Sequence, residues 1–313
     1  MIKKTYEEFC TYVEEHILNR ISMDGNAVVT VKTVYKTNDI IQKGLTIVGE
    51  GQNIVPTIYL EPYYEKYVQG HTTLSDTLTR IAEVYTEHMR DCPESFDIQM
   101  LKEESVIGSL INIHYNKDYL KGIPYIPVGE DFAIIFKFYL GSENEITATV
   151  TITDKLAELM ELNKMKLLSL ALNNTPRIYP MKCIAITEMI RTFIQEDNIP
   201  LEDVTDTDSP FYVLTNNRNE NGAFVLFYPE TVKNLFDTFR DDLVLIPSST
   251  SEWLIIPAKQ AVSIPNISDI IQAVNQECVD PNQLLGERAY LLRKDSTDIL
   301  TQLIPLSEAL LQA

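Results

Sequence analysis

The alternation of hydrophobic and polar residues predicts short helices separated by two-stranded β-hairpins. At the N-terminus, the sequence TYEE (5–8) is typical of a helix-capping box. The apolar residues Phe9, Val13 and Ile17 then recur at helical spacing. Together these features predict a first helix over about residues 5–21.

The same spacing predicts several further helices. Pro62 stands where a helix would begin, since proline is favoured in the first helical turn. Beyond it, Leu74, Leu78, Ile81 and Tyr85 fall on one helical face. The other predicted helices cover residues 105–120, 155–174 (ending before Pro176), 230–240 and 268–279.

Runs of alternating, β-branched or aromatic residues predict four hairpins and one short extra strand, FDIQML. Each hairpin closes at a polar turn, and glycine and asparagine in such turns tolerate positive φ. The predicted hairpins cover residues 28–60, 132–152, 211–228 (FYVLTN and AFVLFY around NNRNENG) and 243–257 (LVLIP and WLIIP around SSTSE).

Four times the chain thus repeats strand, turn, strand and helix. This rhythm predicts an α+β fold in which antiparallel sheets are built from ββα units, with helices packed on one face. Two lobes are expected, an N-terminal lobe over residues 1–175 and a C-terminal lobe over 176–313. One continuous domain is the alternative.

Two polar clusters are the candidate sites. The first lies at the end of a predicted helix. The second consists of the turns of the third and fourth hairpins, which would line one groove if the two hairpins lie side by side. Trp253 would then lie beside this groove, as a residue of the core. For both clusters, local turn and helix-end chemistry is favoured over function. The candidates are Asn174, Thr175 and Arg177 in the first cluster, and Asn216, Asn217, Arg218, Ser248, Ser249 and Glu252 in the second.

Several phrases occur in a specific order along nearly the whole chain. They are NIVPTIYLEPYY (53–64), NNTPRIYP (173–180), YVLTNNRNENGAFVLFYP (212–229) and LVLIPSSTSEWLIIP (243–257), followed by VNQECV and the late Tyr290. In this the chain resembles a bacterial family catalogued as a domain of unknown function and common in anaerobic gut bacteria. The resemblance implies one full-length architecture, but no activity, cofactor or catalytic residue.

Familiar catalytic and cofactor motifs are absent from the sequence. The four histidines lack zinc-site spacing, and the acidic loop at residues 201–210 lacks the glycine of a calcium loop. GEGQN (49–53) lies between strands, whereas a nucleotide fingerprint leads from a strand into a helix. There is no Gly-x-Ser-x-Gly elbow, and Cys183 is flanked by apolar residues that predict an inert thiol. We therefore expect neither a metal nor a cofactor.

Charge and cysteine usage narrow the class of protein. The net charge of -19 disfavours nucleic acid as a partner, and no apolar run is long enough to span a membrane. Four widely spaced cysteines without a Cys-x-x-Cys pair favour a reducing, cytoplasmic location.

The first hypothesis for the function is a non-enzymatic binding or regulatory module with a protein partner. The alternative is an enzyme, such as a hydrolase with a site near Arg177 and the Ser248–Glu252 turn. Ligand and oligomeric state stay open.

Overall fold

The fold is taken from a computed structural model of the full chain. It describes residues 3–22, 26–52, 54–90, 92, 97–143, 146–189, 191, 209–261, 267–294, 300 and 303–306. The acidic loop at 201–208 lies outside this set. The chain divides into two compact units, one formed by Met1–Lys36 and Ile40–Met100 and the other by Thr37–Asp39 and Leu101–Ala313. No helix within the described residues has the length and apolar character needed to cross a membrane.

Among its described residues, the first unit contains one small antiparallel sheet and three α-helices. Its strands are ordered β1-β2-β3, so the segment predicted as one hairpin forms three antiparallel strands, with the longer pairing between β1 and β2. FDIQML, predicted as a strand, instead contains a 3₁₀ turn at Ile98–Met100. The elements are α1 (Tyr6–His16), a 3₁₀ turn (Ile17–Arg20), β1 (Val28–Tyr35), β2 (Ile41–Val48), β3 (Ile58–Tyr59), α2 (Glu61–Gln69) and α3 (Leu74–Arg90).

The first unit folds largely as its sequence pattern predicts. Thr5 caps α1, with its hydroxyl accepting from the Glu8 backbone N–H and the Glu8 carboxylate accepting from the Thr5 N–H. Pro62 lies in the first turn of α2. The core combines the apolar faces of α1 and α3, and the Tyr85 hydroxyl donates to the Ile47 carbonyl at 2.8 Å. This hydrogen bond joins α3 to the middle strand of the sheet.

The part of the second unit that the structure describes contains two antiparallel sheets, which confirms the mixed α+β class. One has the order β4-β6-β5 with β7 also paired to β6, and the other has the order β13-β12-β10-β11-β9-β8. The elements are β4 (Val106–Asn112), β5 (Tyr125–Val128), β6 (Phe132–Glu143), β7 (Ile146–Thr151), α4 (Asp154–Leu159), α5 (Lys164–Ile178), β8 (Met181–Ala185), β9 (Tyr212–Asn216), a 3₁₀ helix (Gly222–Phe227), α6 (Thr231–Phe239), β10 (Leu243–Ser249), β11 (Glu252–Pro257), α7 (Ala258–Ala261), α8 (Ile267–Cys278), β12 (Tyr290–Leu292) and β13 (Ile304–Pro305).

The helix predicted over residues 105–120 is wrong, because its first half forms β4. All seven residues of β4 are buried. A strand buried on both faces is apolar at nearly every position and does not alternate. Val106 and Leu110 therefore fit a helical spacing and a strand spacing equally well, and pairing with β6 decides between them.

The third predicted hairpin is also wrong. AFVLF (223–227) lies in the 3₁₀ helix Gly222–Phe227, and all six residues of that helix are buried. β9 pairs with β8 and β11 instead. The apolar run resembles a strand because the segment is surrounded by protein on every side. The regular repetition of four ββα units is therefore not observed.

The helix predicted over residues 155–174 is two helices, and it does not end before Pro176. Glu161 adopts φ 56° between them, and Asn163 caps α5 by accepting from the Lys166 N–H at 2.9 Å. α5 then continues through Pro176 to Ile178, since proline near a helix end removes a single hydrogen bond. The boundary between the two compact units falls near residue 100. Residues on both sides of position 175 lie in the second unit.

Gly108 in β4 provides a test of this packing. A β-carbon at this position would lie 2.2 Å from the Phe224 ring, so Gly108→Ala forces the ring or the strand to move. We expect a loss of about 3 kcal/mol in the free energy of unfolding, measured by denaturant titration. Adding Phe224→Leu should recover part of the loss. Wild-type stability in Gly108→Ala would contradict the placement of the 3₁₀ helix.

Candidate functional site

The predicted cluster at the end of α5 satisfies the free edge of β4. The Thr175 hydroxyl accepts from the Gly108 N–H at 3.0 Å, and Asn174 Nδ2 donates to the Val106 carbonyl at 3.2 Å. Both side chains are buried. β4 is an edge strand, and its outward backbone groups would lack partners without these contacts. The two residues therefore have a structural role.

Arg177 and the Ser248–Glu252 turn do not form a joint polar site by direct contact. Arg177 Nη2 donates to Asn174 Oδ1 at 2.9 Å, and the Ser248 hydroxyl donates to Glu252 Oε1 at 3.0 Å. The Ser249 hydroxyl accepts from the backbone N–H two residues later. Within the described part of the chain, no hydrogen bond or ion pair joins Arg177 to Glu252. Each group is used locally.

Asn216 organises the polar segment NNRNENG. Its Nδ2 donates to the Glu220 carbonyl at 2.7 Å, and its Oδ1 accepts from the Arg218 N–H at 2.9 Å. The Asn217 N–H donates to the Pro180 carbonyl, while the Asn217 side chain is exposed. These are the local hydrogen bonds of an asparagine turn. They fix the backbone on which Arg218 and Glu220 are carried.

The two polar turns are brought together by backbone contacts. The Ala223 N–H donates to the Thr250 carbonyl at 3.1 Å, and the Thr215 hydroxyl donates to the Ser251 carbonyl at 2.7 Å. The buried Trp253 indole N–H donates to the Ala223 carbonyl at 2.8 Å. The SSTSE turn thus anchors the end of the NNRNENG segment.

Asn221 joins this anchored segment to the sheet of β4 and β6. Its Oδ1 accepts from the Ser109 hydroxyl at 2.8 Å and from Lys137 Nζ at 3.1 Å. Ile107 pairs with Lys137 across the two strands, so Ser109, two residues along β4, presents its side chain on the same sheet face as Lys137. One carboxamide oxygen therefore binds a hydroxyl and an amine from neighbouring strands.

The Lys137 ammonium is incompletely satisfied. Burial lowers its pKa to about 8, against the opposing effect of the negative charge on Glu220. A lysine ammonium has three N–H donors. Within the described residues, Asn221 is the hydrogen-bond acceptor for this ammonium, and no ion pair forms with it. A partly buried ammonium is thus left with unused donors.

Arg218 adds a second cation with one unsatisfied donor. Its Nε is buried and has no hydrogen-bond partner in the described structure. Nearby, the Tyr179 hydroxyl donates to Glu220 Oε2 at 3.5 Å. Burial and the charge of Glu220 raise the pKa of Tyr179 to about 12, while Arg218 opposes this shift.

We call these residues the Lys137 cluster. The cluster has two basic side chains and one acidic side chain, in a protein whose net charge is -19. Its members are Ser109, Lys137, Tyr179, Arg218, Glu220 and Asn221.

The sequence pattern points to Arg218 but not to Ser109 or Lys137. A signal for Lys137 was present, because it is the one charged residue in the apolar strand FAIIFKFYL. Charged residues are rarely buried without a partner or a functional reason. Ser109 had no comparable signal, since the segment around it was interpreted as a helix.

A second polar cluster centres on Asp131, which is 3% exposed. Its carboxylate accepts from Arg288 Nη2 and the Tyr290 hydroxyl, each at 2.6 Å, and lies 3.2 Å from His114 Nε2. Here a charged guanidinium and a hydroxyl satisfy the buried carboxylate. The cluster links the start of β6 to β12 and stabilises the second unit.

Comparison with known proteins places this architecture in a family. The model of the family of unknown function DUF5688 matches residues 6–294. The chain belongs to this family. Every member of the Lys137 cluster lies within the DUF5688 match. No curated protein matches the chain, and no solved structure matches it either.

Lys137 predicts a pH-dependent contribution to stability. Its pKa is 10.5 when solvated and about 8 in the folded protein. Between these values the unfolded state binds more protons, so stability rises as pH increases from about 8 to 10.5. From pH 7 to 9.5, the free energy of unfolding of the wild type relative to Lys137→Met should increase by about 2 kcal/mol. Denaturant titration at both pH values measures this change.

The matched control for this experiment is Lys155→Met, which removes an exposed lysine from α4. It should keep the wild-type pH dependence, because this variant leaves Lys137 and its surroundings unchanged. An identical pH dependence in the wild type and Lys137→Met would show that the Lys137 amine is not desolvated.

Proposed function

We propose that the protein is a non-enzymatic binding module whose Lys137 cluster accepts one compact anionic group of a partner protein. The group is a carboxylate or a phosphate, since either presents several acceptor oxygens to lysine and arginine donors. Binding would supply the acceptors that Lys137 and Arg218 lack.

The observation that carries the proposal is the pair of unsatisfied cationic donors. The Lys137 ammonium has one neutral acceptor among the described residues, and Arg218 Nε is buried without any. Leaving charged donors unpaired in a desolvated site is costly, so an anion that pairs with them is bound favourably. The Glu220 carboxylate balances one of the two positive charges, so one positive charge is left for an anion to neutralise.

The charge of the whole chain restricts the partner. A net charge of -19 repels polyanions at long range, which disfavours nucleic acid and strongly acidic proteins. A single anionic group on a neutral or basic surface avoids this repulsion. The proposed partner is therefore a protein that presents an isolated carboxylate or phosphate.

A cytoplasmic location is part of the same proposal. Cys10, Cys92 and Cys183 carry free thiols. Burial raises the pKa of the Cys183 thiol to about 11, which keeps it protonated and unreactive. Free, protonated thiols are typical of proteins in a reducing compartment.

A hydrolase is the second candidate, and its site would be the Lys137 cluster rather than Arg177 and the Ser248–Glu252 turn. The Ser109 hydroxyl and the Lys137 amine share the Asn221 oxygen, and a lysine with a lowered pKa can act as a base toward a serine. Ser109 is 2% exposed, however, and its hydroxyl is bonded to Asn221, so it is not accessible to a substrate in this structure. This ranks binding above catalysis.

Calorimetric titration of the full chain with inorganic phosphate and with acetate tests the proposal. We expect saturable binding of at least one anion with a stoichiometry of one. Lys137→Met and Arg218→Gln should each weaken binding at least tenfold, about 1.4 kcal/mol, because each removes an unsatisfied donor. The relative affinities for phosphate and acetate identify the preferred anion.

The control variant Lys155→Met removes an exposed lysine and should bind the anions with wild-type affinity. Equal affinities in the wild type and Lys137→Met would refute the proposed site, as would the absence of binding by either anion. Turnover of p-nitrophenyl acetate that is lost in Ser109→Ala would instead favour the hydrolase.

A further inference from the structure

The first unit contains a cavity of about 450 Å³ that is independent of the Lys137 cluster. It is formed by residues of β3, α2 and α3. Pockets that bind small molecules commonly have volumes of about 300–1,000 Å³ and are lined mainly by apolar and aromatic side chains. The volume of this cavity falls in that range.

The walls of the cavity are predominantly apolar. Ile58 and Tyr59 of β3, Pro62 and Tyr63 of α2, and Val84 of α3 contribute to its lining. Two of these side chains are aromatic rings, and burial raises the pKa of the Tyr63 phenol, which therefore stays neutral. A flat apolar or aromatic group is the natural occupant of such walls.

Basic side chains also line the cavity. Lys66, Arg80 and His88 all contribute, and all three are exposed. Arg80 pairs with Glu83 at 3.1 Å, but the side chains of Lys66 and His88 make no hydrogen bond or ion pair with any described residue. The cavity thus combines apolar walls with two basic groups whose donors are free for a ligand.

From this combination we infer that the first unit binds a small apolar anion, such as an aromatic carboxylate. The hydrocarbon part lies between Tyr59, Tyr63 and Val84, and the carboxylate lies beside Lys66 and His88. The cavity should prefer an anion to a neutral molecule of the same shape. The Lys66 ammonium lies at the exposed rim of the cavity, so it loses little hydration when it pairs with a carboxylate.

Ligand-observed NMR and calorimetry with 2-naphthoate and its neutral analogue 2-naphthalenemethanol test the inference. In Lys137→Met, which lacks the carboxylate site proposed for the second unit, we expect one molecule of naphthoate to bind at least tenfold more tightly than the alcohol. Lys66→Gln should lower the naphthoate affinity toward that of the alcohol. Val84→Trp, which fills the cavity, should abolish the binding of both.

Lys155→Gln, at an exposed lysine of α4 in the second unit, should change neither affinity. Because Lys66 is exposed, Lys66→Gln keeps the fold and decides the question even if Val84→Trp does not fold. Equal affinities for naphthoate and the alcohol, wild-type affinity in Lys66→Gln or unchanged binding in a folded Val84→Trp would each overturn the inference. Lys137→Met should bind naphthoate normally, which separates this result from the anion site of the second unit.

Discussion

Partial burial of the Lys137 ammonium is the constraint on which the candidate site depends. An isolated lysine amine is strongly hydrated, and burial lowers the pKa of Lys137 to about 8. The neutral oxygen of Asn221 replaces only part of the lost hydration. The second unit therefore holds a cation in an environment that favours its pairing with an anion.

The surrounding fold keeps this cation in place. β6 is paired on both edges, so the backbone that carries Lys137 is fixed. Asn221 adopts φ 51° immediately before a buried 3₁₀ helix, which is anchored by the indole of Trp253 and the backbone of Thr250. Gly222 permits this close approach, because a β-carbon there would lie 2.0 Å from the Ser251 carbonyl. The polar turns thus build the site through their backbones, while most of their side chains bond locally.

The sequence predicts best where one face of an element is buried and the other is exposed. α1, α3 and the β10–β11 hairpin follow their patterns, since periodicity reports one-sided burial directly. β4 and the 3₁₀ helix are buried on all sides. Their apolar residues are therefore continuous and show neither helical nor strand periodicity. Pro176 predicts a helix stop, but the last turn of α5 tolerates it.

The candidate site was harder to predict than the fold, because its residues come from distant parts of the chain. Arg218 was identified from its polar turn, but its relation to Lys137 depends on how that turn packs against the sheet. Asn174 and Thr175 were polar for a different reason, since they satisfy the edge of β4. A single sequence shows which residues are polar but not which of them meet.

The most direct test of the central claim is an NMR titration of Lys137 itself. The ¹³Cε resonance of Lys137, assigned by its loss in Lys137→Met, reports the pKa of the amine with and without phosphate. We predict a pKa near 8 in the free protein, rising when phosphate binds because an anion stabilises the charged form. A pKa near that of a solvated lysine, unchanged by phosphate, would contradict the account.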